Sequence, residues 1–96
     1  MRRARFLAPA REEFLAEVAY YDEIHVGYGA RFAAAVEETV ARAVAFPESG
    51  SPLWAGTRRV YTKGFPFSIV YRPEPDGVVI VAVAHQSRRP GYWRAR

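Results

Sequence analysis

Cysteine is absent from all 96 residues, which excludes a disulfide framework and a thiolate metal site. Histidine is scarce: only His25 and His85 occur, sixty positions apart, and neither has a carboxylate partner at metal-ligand spacing. No metal is expected. A Gly-rich phosphate loop and a Ser-His-Asp arrangement are also missing, so neither a P-loop enzyme nor a serine hydrolase is expected, and no cofactor is implied. Long apolar runs are lacking too. The longest, Val78 to Ala84, is far shorter than the roughly 20 residues of a membrane helix. The basic start through Arg2, Arg3 and Arg5 meets Arg11, Glu12 and Glu13 before any signal-like apolar region. These absences predict a soluble, cytoplasmic protein without membrane contact. Repeats, low-complexity segments and linkers are not found, so residues 1–96 read as a single domain.

What is present is half hydrophobic and 15% aromatic, enough for one small core. Charge is uneven along the chain. Residues 1–48 hold six Arg/Lys and eight Asp/Glu, a balance of −2; residues 49–96 hold eight Arg/Lys and only Glu74 and Asp76 as acids, a balance of +6. A basic C-terminal half points to an anionic partner, either nucleic acid, the ribosome or an acidic protein segment.

Patterning predicts the order β-α-α-β-β-β. Arg3 to Leu7 is a short strand, and Pro9 suits the first turn of a helix, where its missing N–H is harmless. Arg11 to Ile24 is that helix, with Phe14, Val18 and Tyr21 at helical spacing. Gly27 and Gly29 break it, and a second helix is expected from about Ala30 to Ala45. Its buried stripe is Phe32, Ala35, Val36, Thr39, Val40 and Ala43, and Pro47 ends it. The short connection makes the two helices an antiparallel hairpin. Glu48 to Gly56 is a loop. Strands are expected at Thr57–Thr62, Phe67–Arg72 and Val78–His85, with Pro73 to Gly77 as a turn pairing the last two. Phe67, Ile69 and Tyr71 share one face, and Ser68, Val70 and Arg72 the other. Val78 to Ala84 does not alternate, which marks a strand that is central and covered on both sides, or covered on one side and partnered on the other. The fold class is α+β, two layers, with the helical hairpin packed on a mainly antiparallel sheet.

These strings, in this order, resemble the RelE/ParE toxin superfamily. They are Phe6-x-x-x-Ala10 leading into an acidic helix, Tyr20-Tyr21, Gly29-x-Arg31-Phe32 and Phe46-Pro47. They continue with Phe65-Pro66-Phe67-Ser68-Ile69-Val70-Tyr71 and Val83-Ala84-His85-x-x-Arg88-Arg89-Pro90-x-Tyr92-Trp93. The last string is similar to the ParE-like branch, often called plasmid-stabilisation toxins. The resemblance implies the toxin half of a bacterial type II toxin–antitoxin module, neutralised by a cognate antitoxin. ParE-like members look like poisons of DNA gyrase, acting by binding. RelE-like members look like ribosome-dependent mRNA endonucleases, which is the alternative; a non-toxic binding module of the same fold is a third reading.

Under the endonuclease alternative, His85 would move protons near its unperturbed pKa of ~6.5, while Arg58, Arg72 and Arg88 would steady the growing phosphate charge. The opposing reading is that His85 hydrogen-bonds a neighbouring backbone group and fixes the C-terminal turn. His25 is expected to be a helix C-terminal residue without a ligand role. Arg88, Arg89, Tyr92, Trp93 and Arg94 form the candidate target-binding segment, since interleaved arginines and aromatics suit either nucleic acid or a protein interface. The alternative for Tyr92 and Trp93 is that they fold back over the core. Trp54 is expected to cap the core rather than line an antitoxin groove.

Overall fold

A computed structural model describes residues 3–96; Met1 and Arg2, which begin the basic N-terminal stretch, lie outside the described residues. The element order is β1 (Arg3–Phe6), α1 (Ala8–Ile24), α2 (Tyr28–Ala45), β2 (Ser51–Pro52), a 3-10 turn (Trp54–Gly56), β3 (Arg58–Tyr61), β4 (Phe67–Glu74) and β5 (Gly77–His85). The sheet order is β1-β5-β4-β3-β2, with β1 parallel to β5 and every other pair antiparallel. The α+β architecture is thus the expected one, with the added short strand β2 inside the segment read as a loop.

Both helices begin earlier than patterning suggests. Helix α1 starts at Ala8, so Pro9 falls in its first turn, where no intrahelical donor is needed. Helix α2 starts at Tyr28 because Gly29 is not a breaker. A Cβ on Gly29 would stand 2.5 Å from the Val18 carbonyl oxygen and 2.6 Å from Asp22 Cγ. The missing side chain lets the two helices approach, and the Gly29 N–H donates to Asp22 Oδ1 at 2.9 Å, so α1 caps the first turn of α2. The buried stripe of α2 holds Gly29, Phe32, Val36, Thr39, Val40 and Ala43, the anticipated face with Ala35 at its margin.

One core lies between helices and sheet. Phe32 meets Tyr21, Phe65 and Phe67 with ring centroids 5.0–5.3 Å apart, and Ile69, Tyr71, Val78 and Ile80 complete the sheet side. Helix α1 contributes the half-buried Phe14, Val18 and Tyr21. Strand β5 lies inside the sheet between β1 and β4, and Gly77 through Ala84 are all buried. This explains its lack of alternation: helices cover one face, and the C-terminal segment covers the other. A bulge at Val81, opposite Val70 and Tyr71, shifts the register from Ala82↔Val70 to Ile80↔Tyr71. Gly77, at φ +149, is required where β1 docks, since a Cβ there would collide with the Arg3 backbone.

Candidate functional site

The second core cluster, Val70, Val81, Ala82, Ala84 and Trp93, lies on the sheet face away from the helices. Residues 86–96 build it by a chain of turns. Gln86 N–H donates to the Pro66 carbonyl at 2.8 Å, Arg88 N–H to His85 at 3.0 Å, and Arg94 N–H to Gly91 at 3.0 Å. Trp93 is 6% exposed and belongs to the packing. Tyr92 stands edge-on to it with centroids 5.7 Å apart and is half-buried. The two aromatics therefore fold back over the core.

Glu13 holds this segment in place, a role its sequence position does not announce. Strand β1 ends at Phe6, leaving the outer edge of β5 without a strand partner beyond Ile80. There the Val83 N–H donates to Glu13 Oε1 at 3.0 Å, and the Val81 carbonyl accepts from Arg96 Nη1 at 3.0 Å. Two side chains thus occupy the edge that a longer β1 would have covered. Arg96 also grips Glu13, and Tyr92 Oη donates to Glu13 Oε2 at 2.7 Å. Burial alone would push the Glu13 carboxyl up, but the hydrogen bonds from Arg96, Tyr92 and Val83 together hold it below its ordinary value. Burial, then the bond to Glu13, pushes the Tyr92 phenol up. Arg96, which has no acid near it in the sequence, is thus paired across 83 residues.

Beside this latch lies a concavity of about 510 Å³, floored by Ser68, Val70 and Ala84 and walled by the 3-10 turn, β3 and the tail. Among the described residues three cations line it, Arg59, Arg88 and Arg89, and no carboxylate does. Arg88 stacks on Tyr92 with its guanidinium carbon 3.9 Å from the ring centroid, and Arg59 lies 5.0 Å from the Tyr61 ring. Arg94 covers Trp54 at 5.0 Å. Trp54 is 45% exposed, so it is a wall of this concavity more than a cap on the core.

The four residues proposed from sequence for RNA cleavage are not brought together. His85 and Arg88 line the concavity. Arg58 points elsewhere: its Nη1 donates to the carbonyls of Glu48 and Gly50 at 3.0 and 2.8 Å, which clips the loop after α2. Tyr71 pins the same loop through Pro47 and Gly50. Arg72 pairs with Val79, five positions along β4 from Phe67, the partner of His85. At ~3.3 Å per strand residue that is about 16 Å away. His85 Nδ1 already accepts from the Ser87 N–H at 2.9 Å, with Ser87 Oγ at 2.7 Å, and its ring stands edge-on to Phe67 at 5.0 Å. That is the turn-fixing role. His25 is the C-cap of α1. Among the described residues no cluster of three or more His, Cys, Asp or Glu is arranged to hold a metal ion, and no helix is long and apolar enough to cross a membrane.

Of the target-binding candidates, Arg88, Arg89 and Arg94 are exposed on this face, whereas Tyr92 and Trp93 build it. Sequence reasoning missed Glu13 and Tyr61. For Tyr61, β-alternation was the available signal, since it shares with Arg59 the face opposite Arg58 and Val60.

A search of curated proteins finds no significant match to the sequence. Among solved structures, the fold is similar to a chain of a chromosomal ParDE toxin–antitoxin system from P. aeruginosa, with a TM-score of 0.75 at 20% identity, covering 88% of this chain and 96% of that one. The family model for the ParE toxin of the type II toxin–antitoxin system parDE matches residues 4–90. That match takes in both helices and, but for Arg3 at the start of β1, every strand, and the chain belongs to the ParE toxin family.

Proposed function

We propose that this protein is a toxin that acts by binding a type II topoisomerase such as DNA gyrase, and that a cognate antitoxin neutralises it. The observation that carries binding over catalysis is the placement of His85. Its Nδ1 is taken by Ser87, Arg58 serves a loop, and Arg72 is remote by register, and this dispersal supports binding over a concerted acid–base cleavage of RNA. What remains on the same face is the exposed pair Arg88 and Arg89, suited to an acidic target or an enzyme–DNA complex. The family match supports the toxin role. The antitoxin would present an acidic, amphipathic segment, whose charge complements the basic C-terminal half.

The test adds the purified chain to a DNA supercoiling reaction with gyrase and, in parallel, to translating ribosomes. Supercoiling should be inhibited while messenger RNA stays intact. Cleaved message with unaffected gyrase would reject the reading.

A further inference from the structure

The concavity beside the tail has a composition that the topoisomerase reading does not use. We propose that it is a binding site for a nucleotide unit, a phosphate carrying a planar base, which it holds without cleaving. The inference shares Arg88 and Arg89 with the topoisomerase reading but does not rest on it, because its test variants fall at Arg59 and Trp54, which that reading does not use.

The first reason is an unsatisfied cation. Arg59 is half-buried, and its guanidinium makes no hydrogen bond or ion pair with any described residue; its Nε is sealed from solvent without an acceptor. The guanidinium carbon lies 5.0 Å from the Tyr61 ring centroid. Arg5, Arg58 and Arg96, by contrast, all have oxygen partners. A half-buried donor group without an acceptor costs free energy that an arriving anion recovers. Arg88 and Arg89 line the same concavity, also without an acid partner. Three guanidinium groups around one hollow suit a phosphate, which offers several oxygens to planar donors, better than a lone carboxylate.

The second reason is the aromatic wall. Trp54 and Tyr61 are 45% and 54% exposed, and both line the concavity. Trp54 is backed by Trp93, with centroids 6.1 Å apart, and the exposed Arg94 side chain, 5.0 Å from the Trp54 centroid, would swing aside for a base. Exposed rings beside arginines are the pattern that stacks a base while cations hold its phosphate. Ser68, on the floor, has a hydroxyl with no side-chain hydrogen bond among the described residues and is available to a base edge. The volume of about 510 Å³ falls in the range of small-molecule sites. Hydrolysis is not part of the proposal; the one imidazole lining the hollow, His85, has its Nδ1 engaged by Ser87.

Two sources supply this chemistry, a free mononucleotide and a nucleotide within a single strand. The experiment titrates the full chain with guanosine monophosphate, guanosine, inorganic phosphate and a short single-stranded oligonucleotide, following tryptophan fluorescence and amide chemical shifts. Guanosine monophosphate should bind with Kd below about 1 mM and at least about ten-fold more tightly than either half alone, with shifts centred on Arg59, Tyr61 and Ser68. Tighter binding of the oligonucleotide assigns the strand as ligand; equal binding assigns the free nucleotide. Arg59→Gln and Trp54→Ala should each weaken binding about ten-fold with unchanged circular dichroism. Phosphate binding as tightly as the nucleotide, shifts elsewhere on the wild-type chain, or no binding at all would overturn the proposal. Loss of nucleotide binding would leave gyrase inhibition untouched, so the two readings fail separately.

Discussion

The guanidinium of Arg96 meets the carboxylate of Glu13 through two parallel hydrogen bonds, Nη1 to Oε1 at 3.0 Å and Nη2 to Oε2 at 2.9 Å. Both side chains are under a fifth exposed, and the same carboxylate accepts from Val83 and Tyr92. One acid of α1 therefore joins helix, sheet edge and C-terminal tail. Glu13→Ala removes the acceptor for four donors and should lower stability by about 2–3 kcal/mol, measured by chemical denaturation. An unchanged midpoint would contradict the latch.

The pH dependence follows with a definite sign. The Glu13 carboxyl is held below its ordinary value of 4.5 in the fold. Its contribution is thus fully present above that value and is lost as pH falls through the folded pKa. The difference in melting temperature between wild type and Glu13→Gln should be largest near about pH 7 and shrink toward about pH 3. A difference that grows on acidification would contradict the assignment.

Gly29 has a steric reason to be glycine. Gly29→Ala would place a methyl group against the Val18 carbonyl at 2.5 Å, forcing α1 and α2 apart. A loss of about 1–3 kcal/mol is expected, whereas Ala ordinarily stabilises a helix over Gly by about 1 kcal/mol. The sign of the change, read from thermal melts, decides the matter.

His85→Gln tests binding against catalysis. With the Nδ1 atom serving only Ser87, toxicity in cells lacking the antitoxin should persist in a folded variant. A fall of ~10²–10⁴-fold with the fold intact would restore a general acid–base role.

Arg88→Gln with Arg89→Gln should weaken toxicity strongly. Both side chains are exposed, so stability should move by about 0.5 kcal/mol or little more, the excess coming from the Arg88–Tyr92 stack. Undiminished toxicity in the double variant would remove this pair from target contact.

Periodicity and punctuation made the helices, the central strand and the β4–β5 hairpin legible, because those features depend on local spacing. Helix starts were the least legible. Gly29 reads as a breaker along the chain, and only the neighbouring helix reveals it as a close-approach residue. The basic tail was legible as charge, but not the division of labour within it. Arg96 pairs with a residue 83 positions away, Trp93 is sealed under the sheet, and Arg88 and Arg89 stay in solvent.

The sequence by itself determined the fold class, the buried stripe of α2, the interior placement of β5 and the concentration of positive charge in the second half. Hydrophobic spacing and net charge are properties of the chain before it folds. Only the tertiary structure decided which cations face a common hollow. Strand register sets Arg72 about 16 Å from His85 along the sheet, and alternation turns Arg58 to the helix side while Arg59 faces the tail. It also decided that Glu13 completes the exposed edge of β5. Long-range pairing depends on where the sheet ends, and no local pattern encodes that.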